Sequence, residues 1–216
     1  LPVGIMIMTL IKYGCAGLAL GYCLEKMHWT DQKWIPAVTV CYALMGWILA
    51  NEFNIMWLDV LVLLPFTLYG IEKIFDEDRS FYYTIFLALT LFINFYMGYM
   101  VCIFVVLYFI WTAVRKWQNW KTFGKKAARF SISSFLAAGS VAFLLLPTYF
   151  DITKSKGVYT QQTIQSMIEY QPWKMLSKFM IGTINDNQIQ NGFPNLFVGA
   201  LIIGGFILYF LAKKIP

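Results

Sequence analysis

Charged side chains are scarce in this chain of 216 residues. Asp, Glu, Lys and Arg together make up 13% of it, about half of their share in an average soluble domain. Hydrophobic residues make up 59%, and the mean hydropathy is +0.62. A soluble chain of this length could not bury so much apolar surface, so the composition indicates a protein that lies in lipid.

Metal and redox motifs are also missing. The four cysteines form no CxxC pair, and the single histidine, His28, has no ligand partner at metal spacing. Neither a disulfide framework nor a zinc site is therefore expected, and no metal-binding residue is assigned. The chain also lacks a Gly-rich phosphate loop, GxSxG and HExxH, so it carries none of the common sequence motifs of soluble enzymes.

Long apolar runs dominate what is present. They cover approximately residues 3–24, 34–50, 60–71, 81–93, 97–114, 130–147 and 195–211. We read each run as a membrane span, so the predicted fold class is all-α, a polytopic transmembrane bundle of about seven spans. Six spans fill residues 1–147. An extracytoplasmic loop with short interfacial helices is predicted for 148–194, and a further span for 195–216.

Positive charge fixes the predicted orientation. Residues 115–129 carry six Lys and Arg and no acid, and such segments stay in the cytoplasm. Counting from there puts the mixed-charge turn 72–79 inside and the segments 51–57, 94–98 and 148–194 outside. A tight hairpin is expected near Asn94, with Gly98 helping the turn. Binding of anionic lipid by the basic segment is a lesser candidate role.

Two carboxylates, Glu52 and Asp59, lie in the outer segment between the second and third spans. Acids at the mouth of a membrane bundle are costly and often functional. Either acid could act as a general base, hold a sugar hydroxyl or bind a divalent cation. Alternatively, Asp59 caps the next helix or pairs with Lys12. Lys12, deep in the first run, either snorkels to an interface or offers a cation to an anionic headgroup.

Short motifs along nearly the whole chain resemble the YfhO-like family of bacterial membrane proteins. They read NIMWLD at 54–59, LLP at 63–65, GIE at 70–72, NFYMGYM at 94–100, LLPTY at 145–149 and GFPNLFVG at 192–199. Family members are longer, so the chain is expected to be an internal piece with at least one span upstream of Leu1. The family is placed among the GT-C type glycosyltransferases, so the resemblance implies a GT-C-like bundle.

The resemblance also implies a reaction and its partners. A GT-C enzyme takes a sugar from a polyprenyl-phosphate carrier in the membrane lipid and transfers it outside the membrane. The expected acceptor is lipoteichoic acid or another cell-wall polymer, the expected location is the bacterial plasma membrane, and nucleic acid is not an expected partner. A divalent cation is the candidate cofactor. The key acid of the first outer loop would lie upstream of Leu1.

Residue roles follow from placing that reaction on the outer segments. Asp59 and Glu52 are the candidate catalytic acids, and Lys12 is the candidate contact for the carrier phosphate. The candidate sugar-binding residues are the orienting amides Asn54 and Asn94 and the stacking rings Trp57, Tyr96 and Tyr99. The alternative function is a lipid or small-solute transporter or flippase, whose usual signs are deep acids and repeated halves. A third possibility is a scaffold without chemistry.

Overall fold

Eight α-helices and no strand make up the part of the chain that the computed structural model describes, residues 2–51 and 54–155. The helices are α1 (Pro2–Met27), α2 (Ile35–Ala43), α3 (Gly46–Ala50), α4 (Ile55–Glu77), α5 (Phe81–Ile93), α6 (Phe95–Arg115), α7 (Trp120–Ser140) and α8 (Ala142–Ser155). The predicted all-α class is confirmed for these residues. Glu52, most of the predicted outer loop and the run 195–211 lie outside them.

Three of the described helices are long and apolar enough to cross a membrane. They are Val3–Met27, Ile55–Glu77 and Phe95–Arg115, and α7 with α8 makes a fourth if that pair, bent by 74°, is one span. The 13 residues of α5 rise only about 20 Å, less than the roughly 30 Å hydrocarbon core of a bilayer. The described part therefore supports three to four spans by length, not the six predicted for it.

Successive long segments run in opposite directions. Gly17 of α1 lies against Ala43 and Gly21 lies against Ile35, so α2 returns antiparallel along α1. Cys23, fully buried on α1, belongs to a row of small residues that lets α1 approach its neighbours closely. We call the end that holds residues 72–79 and 115–129 the basic end, and the opposite end, where α5 meets α6, the Asn94 end.

Gly70 brings α4 and α5 into backbone contact. A Cβ added at Gly70 would lie 2.5 Å from both the N and the Cα of Tyr83, so only glycine permits this approach. One turn earlier on α4, Phe66 stacks on Phe86 with ring centroids 4.8 Å apart. Tyr83 itself is fully buried and its hydroxyl lies 2.8 Å from Ser134 Oγ, which ties α7 to the same core.

The predicted hairpin near Asn94 is confirmed. α5 ends at Ile93 and α6 begins at Phe95, and the Asn94 side chain accepts a hydrogen bond from the Met97 N–H at 3.0 Å as a helix cap. A Cβ on Gly98 would lie 3.2 Å from the Leu91 Cα, whereas residues seven apart in one helix are about 10 Å apart. Gly98 therefore lies within α6 and allows it to pack on α5, and the turn itself is made by Asn94.

Four predicted boundaries are wrong. The run 34–50 is not one helix, because Met45 is extended and separates α2 from α3. The predicted turn 72–79 is mostly helical, since α4 continues to Glu77. Only residues 116–119 of the basic segment lie between helices, because α7 begins at Trp120. The run 130–147 bends at Val141, and α8 then continues through Pro147.

A proline inside α4 frees one carbonyl, and a tyrosine on α2 satisfies it. Pro65 has no N–H, so the carbonyl of Leu61 four residues earlier loses its helical partner. The Tyr42 hydroxyl donates a hydrogen bond to that Leu61 oxygen at 2.7 Å. In a lipid-embedded helix an unpaired carbonyl is costly, so this contact joins α2 to α4 at a defined height.

We predict that Gly70→Ala destabilises the protein by about 2–3 kcal/mol, because the new methyl group forces α4 and α5 apart. Gly139→Ala is the matched control. Its Cβ meets no atom within 4 Å, so it is neutral or stabilising by up to about 1 kcal/mol. Thermal unfolding of the purified variants in detergent measures both. Equal stability of the two variants would contradict the close approach at Gly70.

We also predict that Tyr42→Phe costs about 1–2 kcal/mol, because it leaves the Leu61 carbonyl unpaired. In a Pro65→Ala background the cost falls, since the substituted alanine restores the helical N–H donor. A double-mutant cycle by thermal unfolding isolates this coupling. A cost for Tyr42→Phe that is the same in both backgrounds would show that the hydroxyl does not serve this carbonyl.

Candidate functional site

Lys12 lies on the face of α1 that packs against α4. Ala16, Ala19 and Cys23 follow it at helical spacing and are all buried, so the four residues form one stripe. Short side chains at the last three positions let α4 come close, and Lys12 continues the same face toward the Asn94 end. Its long side chain therefore crosses to the first turns of α4 instead of pointing into lipid.

The Lys12 ammonium is held by two groups of α4. Its Nζ lies 2.7 Å from Asp59 Oδ1 and donates a hydrogen bond to the Ile55 carbonyl at 3.0 Å. The side chains of Lys12 and Asp59 are 16% and 35% exposed. Because an ammonium carries three N–H groups, one of them has no hydrogen-bond partner among the described residues. The pair is thus partly buried and still open to a ligand.

The depth of this pair explains why it matters. Lys12 is ten residues after the first residue of α1 and 15 before its last, which places it about 15 Å and 22 Å from the two ends. The eight residues 3–8, 10 and 11 are exposed, so α1 continues beyond the start of α4 with little cover. Asp59 is the fifth residue of α4, about 6 Å from the start of that helix. A charge at this height of two candidate spanning helices requires a partner.

Of the alternatives that the sequence left open for these residues, the ion pair is the one the structure shows. Lys12 does not extend along α1 to an interface, because its ammonium is bound to α4. Asp59 does not cap α4, since it is the fifth residue of that helix, and Asn54 occupies the cap position without a side-chain cap bond. The pair links positions 47 residues apart, which no local sequence pattern reveals.

A second cluster at the Asn94 end is aromatic. The Trp57 ring stacks on Tyr96, with centroids 5.9 Å apart, and on Trp47 at 6.1 Å. These rings connect α3, α4 and α6 near the start of α4. Trp57 and Tyr96 are both predicted site residues, whereas Trp47 was missed, because the sequence placed it inside an unbroken span.

The predicted site residues do not converge on one point. Trp57 and Asp59 are two positions apart on α4, so they project about 200° apart around the helix. The ion pair therefore faces α1, while the aromatic cluster faces α3 and α6. Tyr99 is two-thirds exposed, and Asn54 is exposed beside the α4 start.

Sequence reasoning missed the most connected carboxylate of the described residues, Glu72. It was placed in a solvated turn, yet it is 2% exposed. Its Oε1 accepts hydrogen bonds from Tyr108 at 2.9 Å, Thr112 at 3.4 Å and Arg115 at 2.6 Å. Its Oε2 lies 2.6 Å from Lys116 Nζ. The spacing of the three polar α6 residues, four and then three, puts them on one face and was the available signal.

Arg115 extends this network to the loop after α1. Its guanidinium lies over the rings of Trp29 and Trp111, 4.7 and 4.5 Å from their centroids, while it bonds Glu72. Arginine suits such a position because its flat, weakly hydrated cation can stack and pair at once. The ends of α1, α4 and α6 are therefore joined at the basic end.

Asp78 and Lys126 join α7 to the same end. Lys126 donates hydrogen bonds to the last carbonyls of α4, those of Ile74 and Phe75, at 2.8 and 2.9 Å. It also bonds Asp78, and Arg129 lies against the same carboxylate. The hydrogen bond from Lys126, with the charges of Lys126, Arg129 and Lys125, lowers the pKa of Asp78 to about 2. The charged side chains at this end thus form two clusters, one around Glu72 and one around Asp78.

The described residues do not supply a metal site. Among residues 2–51 and 54–155, no group of three or more His, Cys, Asp or Glu side chains comes together. Asp59 alone does not fit a divalent cation, and Glu52, the other predicted acid, lies outside these residues.

The comparisons with known proteins yield one family. A family model described as "Bacterial membrane protein YfhO" matches residues 1–216, the whole length of the chain. No curated protein and no solved structure matches the chain. The match agrees with the resemblance carried by the motifs above.

We predict that Lys12→Met destabilises the protein by about 2 kcal/mol, because it leaves the Asp59 carboxylate unpaired at membrane depth. The loss is smaller than for a fully buried pair, since Asp59 is one-third exposed. Lys12→Met with Asp59→Leu recovers most of the stability, as no charge then remains. Unfolding in mixed detergent micelles measures the three variants. A double variant as unstable as the sum of its single changes would show that the two residues do not interact.

Proposed function

The chain belongs to the YfhO family of bacterial membrane proteins, and we propose that it is part of a GT-C type glycosyltransferase of the bacterial plasma membrane. In this proposal a sugar moves from a polyprenyl-phosphate carrier to an acceptor outside the membrane, such as lipoteichoic acid or another wall polymer. The observation that carries the proposal is the Lys12–Asp59 pair. An ion pair that only aligns helices is expected to satisfy all its groups, whereas this one leaves an ammonium N–H and a carboxylate oxygen uncommitted among the described contacts.

Lys12 suits the leaving group of this reaction. When the bond between the anomeric carbon and the phosphate oxygen breaks, negative charge develops on the polyprenyl phosphate. The third N–H of Lys12 is available to that phosphate, while Ile55 O and Asp59 hold the ammonium in place. A fixed cation in a low-dielectric site stabilises developing charge more strongly than one in water.

Asp59 suits the role of general base for the acceptor hydroxyl. Its Oδ1 is engaged by Lys12, and its Oδ2 has no partner among the described contacts. In the proposed step the acceptor hydroxyl oxygen forms the new bond to the anomeric carbon and passes its proton to Asp59, as polyprenyl phosphate departs. Glu52 keeps its predicted role as a second acid of the same outer segment.

The aromatic cluster offers a platform for the sugar or the acceptor. Tyr96 is half exposed and its ring is held by Trp57, which Trp47 supports in turn. Flat rings held in a fixed plane at a bundle end suit the apolar face of a sugar ring. Asn54, Asn94 and Tyr99 add polar groups at the same end, although the Asn94 oxygen already caps α6. Because the ion pair faces another side of α4, the acceptor would extend over the start of that helix.

The basic end supports the proposed orientation in the membrane. Its cations outnumber its acids, and Lys- and Arg-rich segments remain in the cytoplasm. The Asn94 end then faces the outside, where polyprenyl-linked sugars are used by enzymes of this type. In this orientation the Lys12–Asp59 pair opens toward the outer leaflet, beside the uncovered part of α1.

We predict that Asp59→Asn in the full-length protein abolishes sugar transfer while the protein still inserts, because the amide cannot accept the proton. Asp76→Asn is the matched control. It makes the same chemical change at the basic end, on an exposed side chain paired with Lys116. Each form would be expressed in cells lacking the protein, and sugar on the extracted wall polymer measured by mass spectrometry at equal membrane levels.

Two results would contradict the proposal in different ways. Normal sugar in the deletion strain would remove the wall polymer as acceptor and bring the transporter alternative forward. Normal sugar with Asp59→Asn, but none in the deletion strain, would keep the activity and remove Asp59 from its chemistry. Loss of sugar in both Asp59→Asn and Asp76→Asn would indicate a general fault of folding or insertion.

A further inference from the structure

The start of α7 carries more positive charge than the nearby acid neutralises, because Lys125, Lys126 and Arg129 share the one carboxylate of Asp78. Lys121 has no acid partner among the described residues, and Lys125 lies 3.5 Å from Asp78 with 63% of its side chain exposed. The first turn of α7 contains no acid, although the positive end of a helix dipole favours one. Lys121 and Lys125 are also one turn apart, where like charges repel each other.

Four other cations at the basic end lie closer to an acid than Lys121 and Lys125 do. Arg115 and Lys116 are neutralised by Glu72, and Lys126 and Arg129 by Asp78. The fold thus pairs the cations that face inward. Lys121 and Lys125 remain as an outward-facing positive strip.

Two exposed indoles flank this strip. Trp120 is 77% exposed and Trp117 is 47% exposed, and their rings meet edge to face at 4.9 Å. Both follow directly after the spanning helix α6, which ends at Arg115. Tryptophan at the end of a span lies at the level of the lipid headgroups. The strip of Lys121 and Lys125 therefore lies at the surface of the bilayer instead of in free solvent.

A recess of about 330 Å³ opens beside this strip. Three uncharged polar side chains, those of Gln118, Asn119 and Thr122, line it together with Lys116, Lys126 and Asp76. The carboxylate of Asp76 is paired with Lys116 at 2.6 Å. Lys121 and Lys125 each precede a lining residue of α7 by one position, so they lie on the neighbouring face of that helix, about 100° around its axis. The recess provides hydrogen-bonding groups near this excess of positive charge and near a pair of interfacial rings.

We propose that this surface, formed by Trp117, Trp120, Lys121 and Lys125, binds the headgroups of anionic phospholipids in the leaflet at the basic end. The lipid phosphate lies between the two lysines, the headgroup enters the recess, and the indoles pack at the glycerol level. Charge complementarity selects this occupant, because a zwitterionic headgroup offers its phosphate together with a cation that Lys121 and Lys125 would repel. The site does not depend on the proposed sugar transfer.

The test uses the full chain in nanodiscs that contain equal amounts of phosphatidylglycerol and phosphatidylcholine. Native mass spectrometry after release counts the lipids of each class that stay bound. We expect the wild type to retain phosphatidylglycerol preferentially. Lys121→Gln with Lys125→Gln lowers that preference about 25-fold, since each lysine near an anionic surface contributes about five-fold. Lys121→Arg with Lys125→Arg preserves it.

Lys73→Gln with Arg79→Gln is the matched control. It removes the same two charges from the same end, but from side chains that pair with Glu77, and it leaves the lipid preference unchanged. An equal loss in this control would show a response to net charge alone and overturn the proposal. Unchanged preference in the Lys121→Gln, Lys125→Gln protein would overturn it as well. Circular dichroism of each variant confirms equal helix content.

Discussion

A charge within an apolar bundle must have a partner, and this requirement shapes both ends of the molecule. Lys12 is held by Asp59 and the Ile55 carbonyl, and that contact fixes where α4 begins along α1. Glu72 is held by Arg115 and Lys116, and that contact joins α4 to α6. Hydrophobic packing is weakly directional in lipid, so these few polar contacts do much to define how the helices align.

The two ends use the same chemistry for different purposes. At the basic end each oxygen of Glu72 lies 2.6 Å from a cation, and Arg115 lies between two tryptophans, so the network is closed and structural. The Lys12–Asp59 pair has one ammonium N–H and one carboxylate oxygen uncommitted among the described contacts. An incompletely satisfied pair costs stability, and its half-open position at this depth supports the proposed chemistry there.

The sequence predicts helices well and their ends poorly. Apolar runs identified the helical class and the hairpin at Asn94, because length and hydrophobicity determine those features locally. The prediction of a turn at 72–79 was wrong because a cluster of charged residues is typical of a solvated loop. Here, contacts from α6 and α7 bury or pair those charges. For Asp59 the sequence left open a site acid, a helix cap and a pair with Lys12; the structure shows the pair, and the role of Asp59 as a site acid stays a prediction. The stack of Trp47 on Trp57 could not be foreseen, since it depends on the break at Met45.

The central claim is that the Lys12–Asp59 pair opens toward the outside of the cell. The most direct test measures on which side of the membrane each end of the bundle lies. Asn94→Cys and Lys121→Cys, each in a cysteine-free full-length protein, would be treated in intact cells with a membrane-impermeant thiol reagent. Our account predicts labelling at position 94 in intact cells and at position 121 only after permeabilisation. The opposite pattern would place the pair toward the cytoplasm and contradict both the orientation and the proposed transfer outside the membrane.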